Sequence, residues 1–537
     1  MLLQWERMPS TSHHSARFSF LAKASAAAAL IALADFLFFD REPGWTIGLF
    51  ALAWTAAVAL TVPQTRRGLP LLFLAGAAAF GLIIIEDPGL LAWLLFWVCL
   101  SVAVLLPRLA RIENALRMAI RLFVHWASSA VSAPYDLLRL PKLRRRRRGR
   151  GRLVGALALP ILGGLVFLML FASANPLIEQ AFTSVNVPEM RFGRGFFWAL
   201  VLLAVWPSFR PRRLPTRAWP DAPELGIELP GVSVASVTIS LVLFNAIFAI
   251  QNGLDVAILW GGAALPDGMT LAEYAHRGAY PLILTALLAG LFVLVTMRPG
   301  TDTAASPVIR RLVLLWVAQN LLLVASSMLR TIDYIEVYSL TELRIAALIW
   351  MGLVALGLVL ICWRLFRMRS GSWLINANAL AALAVLSAAT LLDLGSMAAQ
   401  WNVRHAREVG GRGAPIDLCY LDRLEGSALL PLIELERRPW SPAMRDRIVA
   451  VREDALNTVK ASQADWRQWT WRGARRLSAA EAALGPRPAI AARAPFGRYC
   501  GGARTEPPPT AQELRRRVEQ SAPSPVGTAP LTAEPRR

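Results

Sequence analysis

The sequence predicts an all-α protein. It reads as a polytopic bundle of about eleven transmembrane helices, N-terminus inside and C-terminus outside, with a small helical soluble domain at its C-terminal end. Three observations carry this reading. Of 537 residues, 55% are hydrophobic and 17% charged, with a mean hydropathy of +0.45, whereas soluble domains carry roughly a quarter charged residues. The apolar residues gather in runs such as Leu21 to Phe39, Trp45 to Val62 and Leu90 to Leu106, each long enough to cross a hydrocarbon core of about 30 Å. The loops between the runs alternate in charge.

In chain order the spans read as 20–39, 44–62, 69–86, 88–106, 153–172, 194–209, 232–250, 279–297, 308–328, 343–363 and 373–394. Arg7, Arg17 and Lys23 before the first run resemble a secretory signal, but no small-residue cleavage site follows, so a retained helix is expected. Every second loop is basic: Arg66 and Arg67; Arg144 to Arg148; Arg210, Arg212 and Arg213; Arg298, Arg310 and Arg311; Arg364, Arg367 and Arg369. The intervening loops carry Glu86, Asp87, Asp255, Asp267, Glu273, Asp333 and Glu336. Basic loops on one side are what the positive-inside rule requires.

The domain boundaries follow from this pattern. A four-helix membrane segment occupies 1–106, a cytoplasmic amphipathic helix and Arg-rich loop 107–152, and a seven-helix membrane domain 153–394. A periplasmic helical domain covers 395–505, and a Pro-rich tail read as disordered covers 506–537. From Leu109 to Ala127, apolar Leu109, Ile112, Leu116, Ile120 and Phe123 share one helical face opposite Arg111, Arg117, Arg121 and His125, as in a helix lying in the interface. Arg144 to Arg148 would hold it to anionic lipid at about 1 kcal/mol per basic residue. The net charge of +21 and pI near 11.2 therefore point to the bilayer; no nucleic-acid recognition motif accompanies them.

After span seven, Gln251-Asn252-Gly253-Leu254-Asp255 leads into Val256 to Leu265, too short to span and broken by Gly261 and Gly262; an interfacial or re-entrant element is expected. Beyond Asp393, Leu418, Leu421, Leu424, Leu429 and Leu432 keep helical spacing, and Ser441-Pro442 reads as a helix start. Cys99 and Cys362 fall in spans and read as small apolar residues. Cys419 and Cys500 would be disulfide partners in an oxidising compartment.

The candidate site is a set of outward polar residues: Asp255, Glu273, Tyr274, His276, Arg277, Tyr338, Glu342 and Arg344. Ser339 with Glu342 matches a capping box opening span ten. Asp35 and Asp393 are acids near span ends, where they reach the interface at small cost; Asn245, Gln319 and Asn320 lie deeper and suit hydrogen bonding between helices. No catalytic, metal or dinucleotide signature is present, and no cofactor is expected.

The strings Leu254-Asp255-Val256-Ala257-Ile258-Leu259-Trp260-Gly261-Gly262, Ala272-Glu273-Tyr274-Ala275-His276-Arg277-Gly278 and Tyr338-Ser339-Leu340-Thr341-Glu342-Leu343-Arg344 have a likeness elsewhere, as does Asn175-Pro176. They resemble bacterial multi-pass membrane proteins catalogued as domains of unknown function, numbered forty-one fifty-three and forty-one seventy-three. The likeness runs over about residues 150–470, reaching Asp465-Trp466-Arg467 and leaving the basic fourth loop outside. It implies a bacterial inner-membrane location and no established activity. The leading functional reading is a non-enzymatic protein that binds or senses at its periplasmic face. A secondary transporter, with Asp35, Asn245, Gln319 and Asp393 along its path, is the alternative, and a membrane enzyme the third. The bilayer is the one partner expected; no protein partner is identified.

Overall fold

In a computed structural model of the chain, residues 11–109, 114–143, 192–211, 233–259, 301–485 and 500 are described, with a few positions between 285 and 297. Among them all regular structure is helical: α1 (Thr11–Phe38), α2 (Thr46–Thr61), α3 (Gly68–Glu86), α4 (Leu90–Leu105), α5 (Ala115–Leu143), α6 (Phe192–Phe209), α7 (Val234–Leu259), α8 (Pro307–Tyr338), α9 (Glu342–Arg367) and α10 (Gly371–Ala389). The C-terminal helices are α11 (Leu394–His405), α12 (Leu418–Arg423), α13 (Leu429–Glu436), α14 (Pro442–Ala464) and α15 (Trp471–Leu484). Seven helices among the described residues are long and apolar enough to cross a membrane, and Thr46–Thr61 and Gly193–Phe209 are shorter apolar helices. The expected spans 153–172 and most of 279–297, the basic run Arg144 to Arg148 and the tail 506–537 lie outside the described residues.

Local chemistry sets many helix ends. Ser306, Thr341, Ser370, Asp393, Asp417, Ser441 and Thr470 each accept a backbone N–H in the first turn of the helix they open, satisfying donors that have no intrahelical partner. Thr341, rather than the expected Ser339–Glu342 box, caps α9; Ser339 instead makes the turn, with φ of 71°. Asn114 accepts from Arg117 N at 3.0 Å, so α5 starts at Ala115 rather than at Leu109, where its apolar periodicity begins. At the other end of α2, Arg66 reaches back to the carbonyls of Ala59 and Leu60.

Three large apolar cores result among the described residues, beside a small one of Val102, Leu105 and Leu122 that joins α4 to α5. One joins α1 to α4 with α6, built on Leu37, Phe50, Trp54, Phe96, Trp206 and Phe209. A second joins α7 to α10 through Leu241, Ile309, Val313, Trp316, Leu358 and Leu374. The third belongs to α11 to α15 and centres on Leu421, Leu429, Leu432, Ile448 and Leu456. Gly48 and Gly81 let α2 and α3 approach so closely that a Cβ on Gly48 would lie 2.5 Å from the Gly81 carbonyl oxygen.

The 39–45, 86–90, 338–342 and 389–394 connections gather at one end of the bundle. The C-terminal domain sits there, and we call it the domain end. At the far end α5 packs across the bundle: Trp126 Nε1 donates to Ser101 Oγ of α4 at 3.1 Å, Ala115 N to Asn376 Oδ1 of α10 at 2.8 Å, and Trp206 Nε1 of α6 to Asp136 Oδ2 at 3.0 Å.

Two helices overrun their expected ends. α7 does not break at Gln251 but continues to Leu259, and α8 runs to Tyr338 instead of stopping near 328. The polar residues taken as loop, Asn252, Asp255 and Arg330, are buried between the helices; their side chains find partners there, and the backbone ladder has no reason to stop. The proposed short element at Val256 to Leu265 therefore begins inside α7, with the rest outside the described residues.

Candidate functional site

The densest polar contacts lie where the C-terminal domain meets the bundle. In α15, Arg472, Arg475 and Arg476 are spaced three and four apart, which puts them on one helical face. Arg472 Nη1 bonds Asp87 Oδ2 at 2.8 Å, and its Nε lies 3.7 Å from Glu86 Oε1. Arg475 pairs with Glu86, and Arg476 with Asp393 while donating to Ser427 Oγ at 3.1 Å. Three arginines thus hold the last residues of α3 and the α10–α11 junction. Arg472 is nearly buried, its side chain 10% exposed, whereas that of Arg475 is 60% exposed. Such half-solvated pairs are individually weak, about 0–1 kcal/mol each.

Beside them the chain makes a short extended pairing. Gly44 N donates to Arg467 O at 2.8 Å, Trp45 N to Trp469 O at 2.9 Å and Trp45 Nε1 to Trp466 O at 2.6 Å. A Cβ on Gly44 would collide with the Gln468 carbonyl, so this contact requires glycine. The Arg467 guanidinium lies over the rings of Phe36 and Trp466, 5.3 and 4.3 Å from their centroids, in cation–π contact.

The α8–α9 turn is held as well. Asn402 accepts from Leu340 N at 2.6 Å and returns a bond to Leu340 O at 2.8 Å; Tyr420 Oη accepts from Glu342 N at 3.1 Å. Burial is the main cause that pushes the Tyr420 hydroxyl above the ordinary tyrosine range. Arg344 donates to the Tyr338 carbonyl at 2.6 Å and covers the Tyr334 ring at 4.2 Å. Tyr338, Glu342 and Arg344 are therefore together at the domain end. Cys419 and Cys500 are joined by a disulfide across 81 residues of sequence that include α13, α14 and α15.

Other candidate residues are elsewhere. Glu273, Tyr274, His276 and Arg277 lie outside the described residues. Asp255 is not an outward loop residue: it is 1% exposed in α7 and pairs with Arg330 of α8. Asp35 is held by Arg194 Nε at 2.7 Å and Trp198 Nε1 at 2.8 Å. Asp393 falls past the end of α10 and caps α11, accepting from Ser396 N at 3.0 Å. The arginine face of α15, Asn402, Tyr420 and Trp466 were missed as site residues; the three-four spacing of the arginines was the signal available.

A polar seam runs between the parallel helices α7 and α8. Asn245 and Asn252, seven residues apart, each donate to a carbonyl 67 positions on, Leu312 O and Gln319 O, both at 3.1 Å. Gln319 Nε2 returns a bond to Asn245 Oδ1 at 2.8 Å, and Gln251 Nε2 donates to Asp255 Oδ1 at 3.0 Å. Among the described residues, Asn252 Oδ1, Asp255 Oδ2, Gln319 Oε1 and Ser326 Oγ are buried without a hydrogen-bond partner.

The bundle also has two cavities at the domain end. One, about 500 Å³, is lined by apolar side chains including Phe38, Phe50, Trp54, Trp93, Trp97 and Phe197, and its rim contains Pro43, Pro88 and Gly89. The other, about 280 Å³, is lined by Asp35, Phe36, Phe39, Asp40, Arg41 and Arg194. The ring pair Phe39–Phe197, 5.8 Å between centroids, stands between them.

No curated protein and no solved structure matches the chain. A family model does, over residues 71–435, described as a domain of unknown function, DUF4153. The match begins earlier than the sequence likeness, spans the basic fourth loop and ends in α13, before α14 and the arginine helix α15. Of the two family numbers the sequence strings suggested, it is the first. The chain belongs to the DUF4153 family, whose function is unknown.

Proposed function

We propose that the protein is a multi-pass protein of the bacterial inner membrane, with its C-terminal domain in the periplasm. It works as a non-enzymatic binding or sensing protein at that outer face. Charge supports the orientation: the far end carries Arg66, Arg67, Arg108, Arg310, Arg311, Arg367 and Arg369, against Arg41, Arg194 and Arg344 among the described bundle residues at the domain end, and the positive-inside rule puts the more basic end in the cytoplasm.

One observation carries the sensing reading: the C-terminal domain is latched onto four bundle connections, two through the ion pairs of the α15 arginines and two through hydrogen bonds. Here a ligand that shifts the 39–45 or 86–90 connection changes the geometry of Gly44, Glu86 and Asp87 together, and with it the docking of α15. The test is charge reversal of Arg472, Arg475 and Arg476 together, read by hydrogen exchange at residues 466–469 and by the cellular phenotype of a chromosomal null. Faster exchange with a null-like phenotype supports the reading; faster exchange with a wild-type phenotype overturns it. An alkaline phosphatase fusion after Leu484 that is inactive in cells overturns the orientation.

A second reading, secondary transport, is favoured by the buried polar residues along the α7–α8 seam, since buried ionisable residues between membrane helices commonly mark solute paths. Its path runs through Asn245, Asn252, Gln319 and Asp255, leaving Asp35 and Asp393 out. Solute-dependent currents in proteoliposomes that vanish with Asn252→Leu would favour it over sensing.

A further inference from the structure

The two cavities at the domain end point to the ligand. We propose that they bind one bilayer phospholipid with a zwitterionic headgroup, its acyl chain in the aromatic cavity and its head in the polar one. The proposal rests on the sensing reading for its consequence, though not for its chemistry.

The larger cavity has a size ordinary for small-molecule sites, about 300–1,000 Å³, and its lining is apolar throughout. Its walls are α1, α2, α3, α4 and α6, in the bundle half next to the domain end. From Leu90 to Trp97 along α4 it is about 10 Å deep. A site between apolar helices is reached from the bilayer, where acyl chains are the abundant apolar material. Three tryptophans and several phenylalanines give it a flat-walled, water-excluding interior suited to a chain without polar atoms.

The smaller cavity adds the second half of an amphiphile. It holds the Asp35–Arg194 ion pair with Asp40 and Arg41 beside it. Both signs of charge stand together there, so a purely anionic head meets an acid and a purely cationic head an arginine. A phosphoethanolamine head carries one phosphate and one ammonium and so presents both signs. The chain and head sites adjoin at Phe39 and Phe197, close enough for one molecule to occupy both.

The position explains how occupancy would be read. Pro43 on the cavity rim precedes Gly44 and Trp45, which pair with residues 467–469; Pro88 follows Asp87, which pairs with Arg472. A chain entering the cavity presses on the two connections that the C-terminal domain holds.

The experiment uses the full chain in liposomes containing a trace of phosphatidylethanolamine with a photoactivatable acyl chain, with cross-linked peptides identified by mass spectrometry. We expect labelling concentrated on the peptides bearing Trp93, Trp97 and Phe197, at least tenfold above that on exposed Leu72 and Leu380. Ala204→Trp, which fills the cavity, should abolish the excess. Arg41→Glu, outside the apolar lining, should reduce it severalfold if the head is held there. Even labelling of all bilayer-facing peptides, or equal labelling by a phosphatidylglycerol probe of the same chain, overturns the proposal. Hydrogen exchange at residues 466–469, compared with and without phosphatidylethanolamine, separates the two ideas. Labelling without any change in exchange would leave the lipid site standing and sink the sensing reading. A change in exchange without cavity labelling would do the reverse.

Discussion

Arginine meets carboxylate in two places in this protein, under opposite conditions. In the α7–α8 seam Arg330 and Asp255 are 8% and 2% exposed at the side chain; at the domain interface Arg475 and Glu86 are 60% and 26% exposed. The chemistry is the same, but the solvent differs. A buried pair is expensive to break because it strands a charge away from water. A hydrated pair is cheap to break because water replaces the lost partner. The seam pair should therefore resist breaking far more than the Arg475–Glu86 contact does.

The largest effect should follow from breaking the seam. Asp255→Ala removes the buried carboxylate that pairs with Arg330 and should cost about 3–5 kcal/mol, seen as a fall in the detergent-solubilised melting temperature. The double substitution Asp255→Leu with Arg330→Met should cost much less, since neither charge remains. Equal losses in the two would contradict a desolvated pair.

Next is the disulfide. Cys419→Ser with Cys500→Ser releases a long loop around the arginine helix and should cost the C-terminal domain about 2–4 kcal/mol, measured by hydrogen exchange in α13 and α14. The bundle helices should be unaffected.

A third effect lies at the far end. His125 is 5% exposed in α5, and burial, with Arg108 second, brings its pKa down to about 4. Unfolded, it titrates near ~6.5. Between those values the unfolded chain binds more protons, so folding stability falls as pH drops from about 6.5 toward 4 and is fully present above it. The loss is on the order of 3 kcal/mol at most, read as earlier release of α5 in acid, and His125→Leu should flatten the slope.

The smallest effect belongs to the latch. Arg475→Ala should cost at most about 1 kcal/mol of docking and less in high salt. A loss as large as that of Asp255→Ala would mean the interface is not the hydrated latch described.

The sequence made the helices readable wherever hydropathy and helix ends coincide, as in α2, α3 and α4. It misled where polar residues lie inside a helix–helix contact. Asn252, Asp255 and Arg330 resembled loop because burial among partners is a tertiary fact, invisible to a window of neighbours. Asp393 resembled an intramembrane acid because the last apolar run and the cap that follows it are continuous in hydropathy. The site was half legible: Tyr338, Glu342 and Arg344 stood out as a cluster, whereas their partners Asn402 and Tyr420 are some 60 to 80 residues away. Arg472, Arg475 and Arg476 announce a charged helical face, but nothing local says that it meets Glu86 and Asp87, nearly 390 residues earlier.

The central claim, a releasable C-terminal domain latched to the bundle ends, is tested most directly by cross-linking. With Glu86→Cys and Arg475→Cys in a chain whose Cys99 and Cys362 are replaced by Ala, oxidation in liposomes should join the two positions. The yield should fall as salt is raised while the domain itself remains folded. No cross-link at low salt, or a yield indifferent to salt, would contradict the account.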